Sequence, residues 1–310
     1  MDTLFIKNNF KMHNIKQNSK IAVLGASLPM LILALLLKKK NKVDILNENK
    51  KIGGAWKYFK YKNINIRKQS NVIVPTNKYQ EEYIYKINSF LKKKFNIKIK
   101  KSKSKIITNY NFKDKFIYDF ESFYKNFPKK NVKSILVKDI EIKENKKIVI
   151  NNSLEYDYII FPSYFGIKKI YNDKKLLNLP FKKIISEHMV AIIKSNKFNK
   201  IYYSDYFNSY FNGYFDRAQF LKHNGFRSFS ARISKSKKGI TKKRLANILL
   251  SEFTNNEIVT LFKFKYENFH RDEKQLKNFI EIQKLKPIIY IDTRSFVRSL
   301  IEILKLTRKN

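Results

Sequence analysis

The chain has 310 residues, no cysteine and a formal net charge of +41. Its length suits one large domain or two smaller ones, and a hydrophobic content of 43% excludes wholesale disorder. The missing cysteines exclude disulfides, thiolate metal sites and cysteine nucleophiles, and they fit a reducing, cytoplasmic setting.

His13, His188, His223 and His270 are far apart and lack ligand spacing, so no metal site is expected. The charge is a weaker signal than its size suggests. Arginine stands only at positions 67, 217, 227, 232, 244, 271, 294, 298 and 308; every other cation is lysine. Lysine, asparagine and isoleucine are the residues of A/T-rich codons, whereas a chain built to grip phosphate or read bases favours arginine's planar fork. The expectation is a surface that attracts polyanions without specificity. A basic nucleic-acid-associated protein stays open as an alternative.

Residues 1–19 read as a polar extension. Ile21 to Leu24 read as a buried strand, Gly25 to Leu28 as a turn, and Pro29 suits the first turn of a helix running to about Lys40. The rival is a signal anchor over Ile21 to Leu37. That stretch is short for a span, and Gly25, Ser27 and Pro29 lie near its middle, so no transmembrane segment is expected. Val43 to Leu46 form a second strand. Tyr58 to Thr76 look irregular or strand-like, and Asn77 to Phe95 helical. The run at 98–105, KIKKSKSK, reads as a solvated loop, and Phe116 to Phe127 as a short aromatic helix. A compact β region spans Val132 to Pro162, and a second sheet Lys182 to Arg232. Lys242 to Phe253 read as helix, Ile258 to Phe264 as strand, Asp272 to Gln283 as helix, Ile288 to Ile291 as strand and Ser295 to Leu306 as helix.

A phosphate-binding turn uses glycines for a tight bend, for close backbone approach and for helix–strand packing, with the helix N-terminus facing the anion. Here the turn is Gly25-Ala26-Ser27-Leu28-Pro29-Met30: the first glycine is present, the second position is Ser27 and the third is Met30. Met30 is expected to push helix and strand apart slightly. The acid expected at the end of the second strand, for the ribose hydroxyls, is replaced by Asn47, with Glu48 beside it. Gly53-Gly54-Ala55-Trp56 follows, and the glycine pair points to a flavin rather than a nicotinamide. Trp56 either stacks near a cofactor or belongs to the core.

This order of strand, glycine turn, helix, strand and Gly-Gly-x-Trp resembles the start of the flavoprotein superfamily of amine oxidases, protoporphyrinogen oxidases and UDP-galactopyranose mutases. The resemblance implies that Gly25, Ala26, Ser27, Gly53 and Gly54 hold the FAD diphosphate and Asn47 or Glu48 its ribose. EYDYIIFPS at 155–163 is similar to the family's middle portion. IIYIDTRSFVRSLIEIL at 288–304 is similar to its last motif, with Asp292 matching the acid beside the flavin and Ile291 replacing a glycine. The sugar-mutase branch resembles the chain best. Its flavin-side histidine corresponds to Asn71, and SDYFNSYFNGYFDRAQF at 204–220 is reminiscent of its aromatic substrate region.

The expected fold is α/β: a flavin-type Rossmann domain from residues 20–60, 130–165 and 285–310, with a β-rich substrate region from 61–129 and 166–284. The leading function is an FAD-dependent oxidoreductase or mutase acting on a nucleotide-sugar or other anionic small molecule. A degenerate scaffold that has lost FAD is the alternative. Arg217, Arg227, Arg232 and Arg294 are candidates for substrate phosphate, or for ordinary salt bridges. Tyr202, Tyr203, Tyr206, Tyr210 and Tyr214 either line a pocket or pack half-buried.

Overall fold

Both faces of the first strand, β1 (Lys20–Leu24), are covered: Ile21, Ala22, Val23 and Leu24 are all 0% exposed. A strand buried on both sides belongs inside a parallel sheet, where helices and loops cover each face. The structure is a computed structural model describing residues 15–48, 52–53, 58–67, 72–73, 78–108, 111–162, 167, 169–179, 181–195, 202–204, 211, 213–223, 225–271, 282, 284–285, 287–291 and 303. Asn71 and the helices expected over 272–283 and 295–306 lie outside these residues, except for Ile282 and Ile303.

β1 leads through the glycine turn into α1 (Leu28–Leu37) and then β2 (Lys42–Asn47). Next come β3 (Tyr58–Tyr61), β4 (Ile64–Arg67), β5 (Val72–Ile73) and α2 (Lys78–Phe95). β6 (Lys100–Thr108) and β7 (Asn111–Asp119) precede a short α3 (Glu121–Asn126). The middle of the chain supplies β8 (Val132–Ser134), β9 (Asp139–Ile142), β10 (Ile148–Ile150), β11 (Leu154–Tyr156) and β12 (Tyr158–Pro162). β13 (Lys169–Asn172), β14 (Lys175–Leu177), β15 (Phe181–Ile193) and β16 (Tyr202–Ser204) follow. The rest comprises β17 (Phe215–His223), β18 (Phe226–Ile233), α4 (Lys242–Leu249), β19 (Ile258–Arg271) and β20 (Ile288–Ile291).

The chain divides into two compact units, one of residues 1–54, 128–183 and 269–310, the other of 55–127 and 184–268. In the first, five strands in the order β20-β12-β1-β2-β8 make a wholly parallel sheet. α1 is buried at every position except Leu36, so the apolar run is a core helix. Each of its fully enclosed Leu and Ile side chains contributes roughly 2 kcal/mol of burial. Among the described residues no helix is long and apolar enough to cross a membrane. A second sheet, β11-β10-β9-β13-β14, carries the antiparallel meander β9–β11. Its Ile140, Ile148 and Ile150 join one core with Ala22, Leu24, Ile159 and Phe161 of the parallel sheet. Asp44 ties the two sheets together by accepting from Tyr156 Oη at 3.0 Å while pairing with Lys133 at 2.7 Å.

The second unit is built on eight strands in the order β19-β15-β18-β17-β16-β6-β7-β5, plus the β3–β4 hairpin. Strand alternation gives it two apolar faces. Met189, Ala191 and Ile193 join Phe229, Ala231 and Leu245 of α4, whereas Val190 and Ile192 join Ile66, Phe59 and Phe262. Ile84, Ile87 and Leu91, spaced three and four apart, form the buried stripe of α2. The run read from sequence as a loop at 98–105 is in fact largely the strand β6. Its Lys/Ser alternation is a period-2 pattern whose polarity masks it, and its backbone pairs with β7 from Lys100–Asp119 to Thr108–Asn111. For the same reason the expected aromatic helix at 116–127 shortens to α3, since Phe116 to Asp119 are taken by β7.

Glu187 on β15 is a carboxylate only 3% exposed. It accepts from the Gly239 N–H at 2.8 Å and pairs with Lys263 at 3.1 Å, pinning the loop before α4 to the sheet. Burial alone would raise its pKa, but the Gly239 N–H and Lys263 outweigh burial and hold it below the ordinary carboxylate value. A depressed carboxyl stabilises the fold above its unfolded pKa, and that stabilisation disappears as pH falls through the folded value. Glu187→Gln should therefore cost about 2 kcal/mol at neutral pH, because Lys263 loses its counter-charge while keeping its hydrogen bond to Ile240 O at 2.7 Å. Urea unfolding should show this deficit at pH 7 and a much smaller one below the carboxylate range.

Candidate functional site

The order in which the chain lays down the parallel sheet locates a crevice. It proceeds outward from β1 to β2 and β8, then returns to the other flank of β1 with β12 and β20. The switch falls between β1 and β12, and open parallel sheets bind ligands beyond the carboxyl ends of the strands at such a point. The residue that leaves β1 there is Gly25.

Gly25 has φ +80°, and its N–H donates to Leu46 O at 2.8 Å. Gly53 has φ +104°, and its N–H donates to Ala26 O at 2.8 Å. Both glycines therefore hold left-handed backbone that a side chain would strain. These two hydrogen bonds lace the glycine turn to the end of β2 and to the loop after it, bringing Gly25, Ala26, Ser27 and Gly53 into one cradle. Gly54, Ala55, Trp56, Asp292 and Arg294 lie outside the described residues.

α1 begins with Ser27 as its N-cap, and the first helical bond runs from Leu31 N–H to Ser27 O at 2.9 Å. The N–H groups of Leu28 and Met30 have no intrahelical acceptor, and Pro29 has no N–H. Ser27 is partly exposed, yet its Oγ is buried without a hydrogen-bond partner. Met30 is 0% exposed, enclosed in the core around α1. Asn47, at the end of β2, is 7% exposed, and its carbonyl accepts from Ile135 N–H at 2.8 Å. Glu48 is exposed and free to reach outward from the strand end. An unpartnered hydroxyl beside the free N–H groups of a helix start is the kind of donor set that an anion satisfies.

The candidate substrate arginines belong to the second unit. Antiparallel register sets position 217 of β17 opposite Arg232 of β18, and Arg232 opposite His188 of β15. Opposed positions share a sheet face, so 188, 217 and 232 form one row across three strands. Arg227 is 7% exposed and, five residues from Arg232, sits on the other face. Of the tyrosines singled out in sequence, Tyr214 lines a cavity of about 430 Å³ with Phe211 and the α4 side chains Lys243, Arg244 and Asn247. Sequence reasoning missed these α4 residues. The available signal was the absence of any acid from Arg217 to Ser251. Among the described residues no cluster of His, Asp and Glu has the makings of a metal site.

The sequence matches no protein-family model and no curated protein. Solved structures are similar in fold. The CLA-producing fatty acid isomerase from P. acnes superposes with a TM-score of 0.61 at 10% identity, covering 95% of this chain and 99% of that one. Putrescine oxidase bound to putrescine gives 0.62 at 8% identity over 94% and 98%. A proposed protoporphyrinogen oxidase from Exiguobacterium gives 0.59 at 6% identity over 95% and 99%. The chain thus has the α/β fold of FAD-dependent amine-oxidase-like enzymes, a flavin-type Rossmann sheet accompanied by β-rich sheets.

Because Gly25 occupies positive φ, Gly25→Ala should cost about 1–2 kcal/mol. The check is a lowered urea midpoint with an unchanged dependence on denaturant.

Proposed function

We propose that the protein is a flavoprotein that binds FAD in its parallel-sheet unit and acts on an anionic small molecule through its β-rich unit. The observation that carries this is the cradle at the switch point, where Gly53 N–H is bonded to Ala26 O beside the unpartnered Ser27 hydroxyl. Gly25, Ala26, Ser27, Gly53 and Gly54 would hold the diphosphate. Asn47 or Glu48 would hold the ribose, and Ala55, Trp56 and Asp292 are the further cofactor residues that the family resemblance implies. When bound, the flavin supplies electron transfer or nucleophilic chemistry that side chains lack, and the protein's part is to bind, orient and shield it.

Ser27 replaces a glycine where backbone would approach the phosphates most closely. Its unpartnered hydroxyl would compensate as a donor. Asn47 has no charge with which to accept strongly from ribose hydroxyls, which leaves that part to exposed Glu48. On the substrate side, positions 217 and 232 are opposed in the β17–β18 register, which places two arginines in one row of the sheet that a phosphate or carboxylate would suit. Together with the resemblance to the sugar mutases, this supports a nucleotide-sugar as the finer proposal, with Arg227 and Arg294 less directly involved. The similar structures include a fatty acid isomerase and a putrescine oxidase bound to putrescine, so anionic and cationic small molecules alike occur on this fold.

A second reading is a scaffold that keeps the fold without the cofactor, and the replacements at Ser27, Met30 and Asn47 favour it. The purified protein separates the two. A flavoprotein is yellow, with absorbance at about 450 nm, or becomes so when reconstituted with FAD. Gly53→Asp should abolish that absorbance by placing charge and bulk against the diphosphate, while the far-ultraviolet circular dichroism spectrum stays that of the wild type. A colourless protein that never takes up FAD overturns the flavoprotein reading. Full FAD occupancy in the variant overturns the placement.

A further inference from the structure

The cavity of about 430 Å³ in the second unit is unrelated to the glycine turn, and its lining has a definite chemical character. Thr241, Arg244, Ile248 and Ser251 succeed one another at spacings of three and four, so one face of α4 forms a wall. Tyr214 stands across from it. Phe211, 1% exposed and packed on Phe215 and Phe229, closes the bottom. A volume of this size accommodates a small organic ligand.

Electrostatically the wall is one-sided. The first turn of α4 carries Lys242, Lys243 and Arg244 and no acid, although the positive end of a helix favours carboxylates there. Lys235, Lys237 and Lys238 precede it, and no Asp or Glu occurs between Arg217 and Ser251. Glu252 lies past the helix's last turn, and Glu187 is committed to Gly239 and Lys263. This concentration of cations against a helix N-terminus is unfavourable by itself, and a bound anion relieves it.

The groups are also held in place. The Arg244 N–H donates to Thr241 Oγ1 at 3.2 Å, and its Nη2 donates to Tyr214 Oη at 3.4 Å. Lys237 Nζ lies 5.1 Å from the centre of the Tyr214 ring. The hydrogen bond from Arg244 draws the Tyr214 phenol below its ordinary pKa, as expected where positive potential gathers. The loop bearing Lys237 is fixed at Gly239 by the buried Glu187. Arginine is scarce in this chain, and Arg244 lines a cavity that also offers the Asn247 amide, while the Ser251 hydroxyl donates to Ile248 O at 2.8 Å.

We infer that this cavity is a binding site for a phosphate-bearing small molecule, with the phosphate at Arg244, Lys243 and the start of α4, and the body of the ligand against Tyr214. The site is independent of flavin binding, and the test uses inorganic pyrophosphate as the probe, with calorimetry on protein saturated with FAD and on the Gly53→Asp variant. Saturable binding at one site should persist in both, at about 150 mM salt where loosely held surface anions are largely screened. Arg244→Gln should weaken it about tenfold or more, and Arg244→Lys by less, since charge is kept while the fork is lost. Replacing Lys92, Lys93 and Lys94 together by Gln removes more charge from the same unit and should change little. Arg244 is exposed, so the variants should fold, which circular dichroism verifies. Equal weakening by the α2 lysine variant, or indifference to Arg244→Gln, would overturn the site in favour of a diffuse basic field. Arg244-dependent binding of a single-stranded oligonucleotide with no pyrophosphate binding would overturn it in favour of a nucleic-acid partner.

Discussion

Two backbone hydrogen bonds, Gly25 N–H to Leu46 O and Gly53 N–H to Ala26 O, set the geometry on which the proposed chemistry depends. They join three consecutive pieces of chain at the carboxyl end of the parallel sheet: the turn after β1, the end of β2 and the loop beyond it. Neither bond uses a side chain. Both need backbone at positive φ, which is why the two glycines survive in a chain that contains only seven. The geometry can thus outlast drift at neighbouring positions. Ser27, Met30 and Asn47 are not the residues a dinucleotide-binding turn ordinarily uses, yet both bonds form around them.

α1 explains how that drift is tolerated. A third glycine in such a turn exists to let helix and strand pack closely. Met30 replaces it and is fully enclosed. Its flexible, unbranched side chain fills irregular space well, so the helix retains a continuous apolar contact with its surroundings from Leu28 to Leu35. Packing has absorbed the substitution, and the cradle's cost falls instead on Ser27 Oγ, left buried without a partner. An unsatisfied hydroxyl is destabilising by about 1–3 kcal/mol, and a phosphate oxygen is the kind of acceptor that would remove that penalty.

The first βαβ unit was legible in sequence because its signals are redundant: continuous apolar strands, a glycine turn, a proline suited to the helix start and a second strand at the right distance. β6 was not legible. Its KKSKSKIIT segment gains almost nothing from its own composition and is a strand because β7 and β16 supply partners on both sides. Pairing of that kind is a tertiary fact that no local window contains. Arginine spacing was similarly uninformative. Positions 217 and 232 share a face while Arg227, nearer in sequence to 232, does not, and only the β17–β18 register decides this. The α4 wall escaped notice because its residues are ordinary for a lysine-rich helix. What distinguishes them is the concavity they line and the aromatic ring across from it.

The scarcity of acids gives a further principle of organisation. In a chain of net charge +41 each carboxylate has many possible partners, and the well-placed ones bridge separate elements. Asp44 takes Tyr156 and Lys133, while Asp157 takes the Lys20 N–H and Lys147. Glu81 on α2 takes Lys101 of β6 and Tyr118 of β7 at 2.7 and 2.9 Å. Glu187 takes the Gly239 N–H and Lys263. An exposed ion pair contributes little, so the value of these acids lies in joining several donors at once. Where acids are so few, their placement also determines where positive potential goes unopposed. Screening confines each charge's influence to about 10 Å, so the long acid-free stretch ending in α4 keeps its own field. An ordered cavity within that field selects for anions even if the charge arose from codon composition, because geometry, once present, makes local use of whatever charge surrounds it.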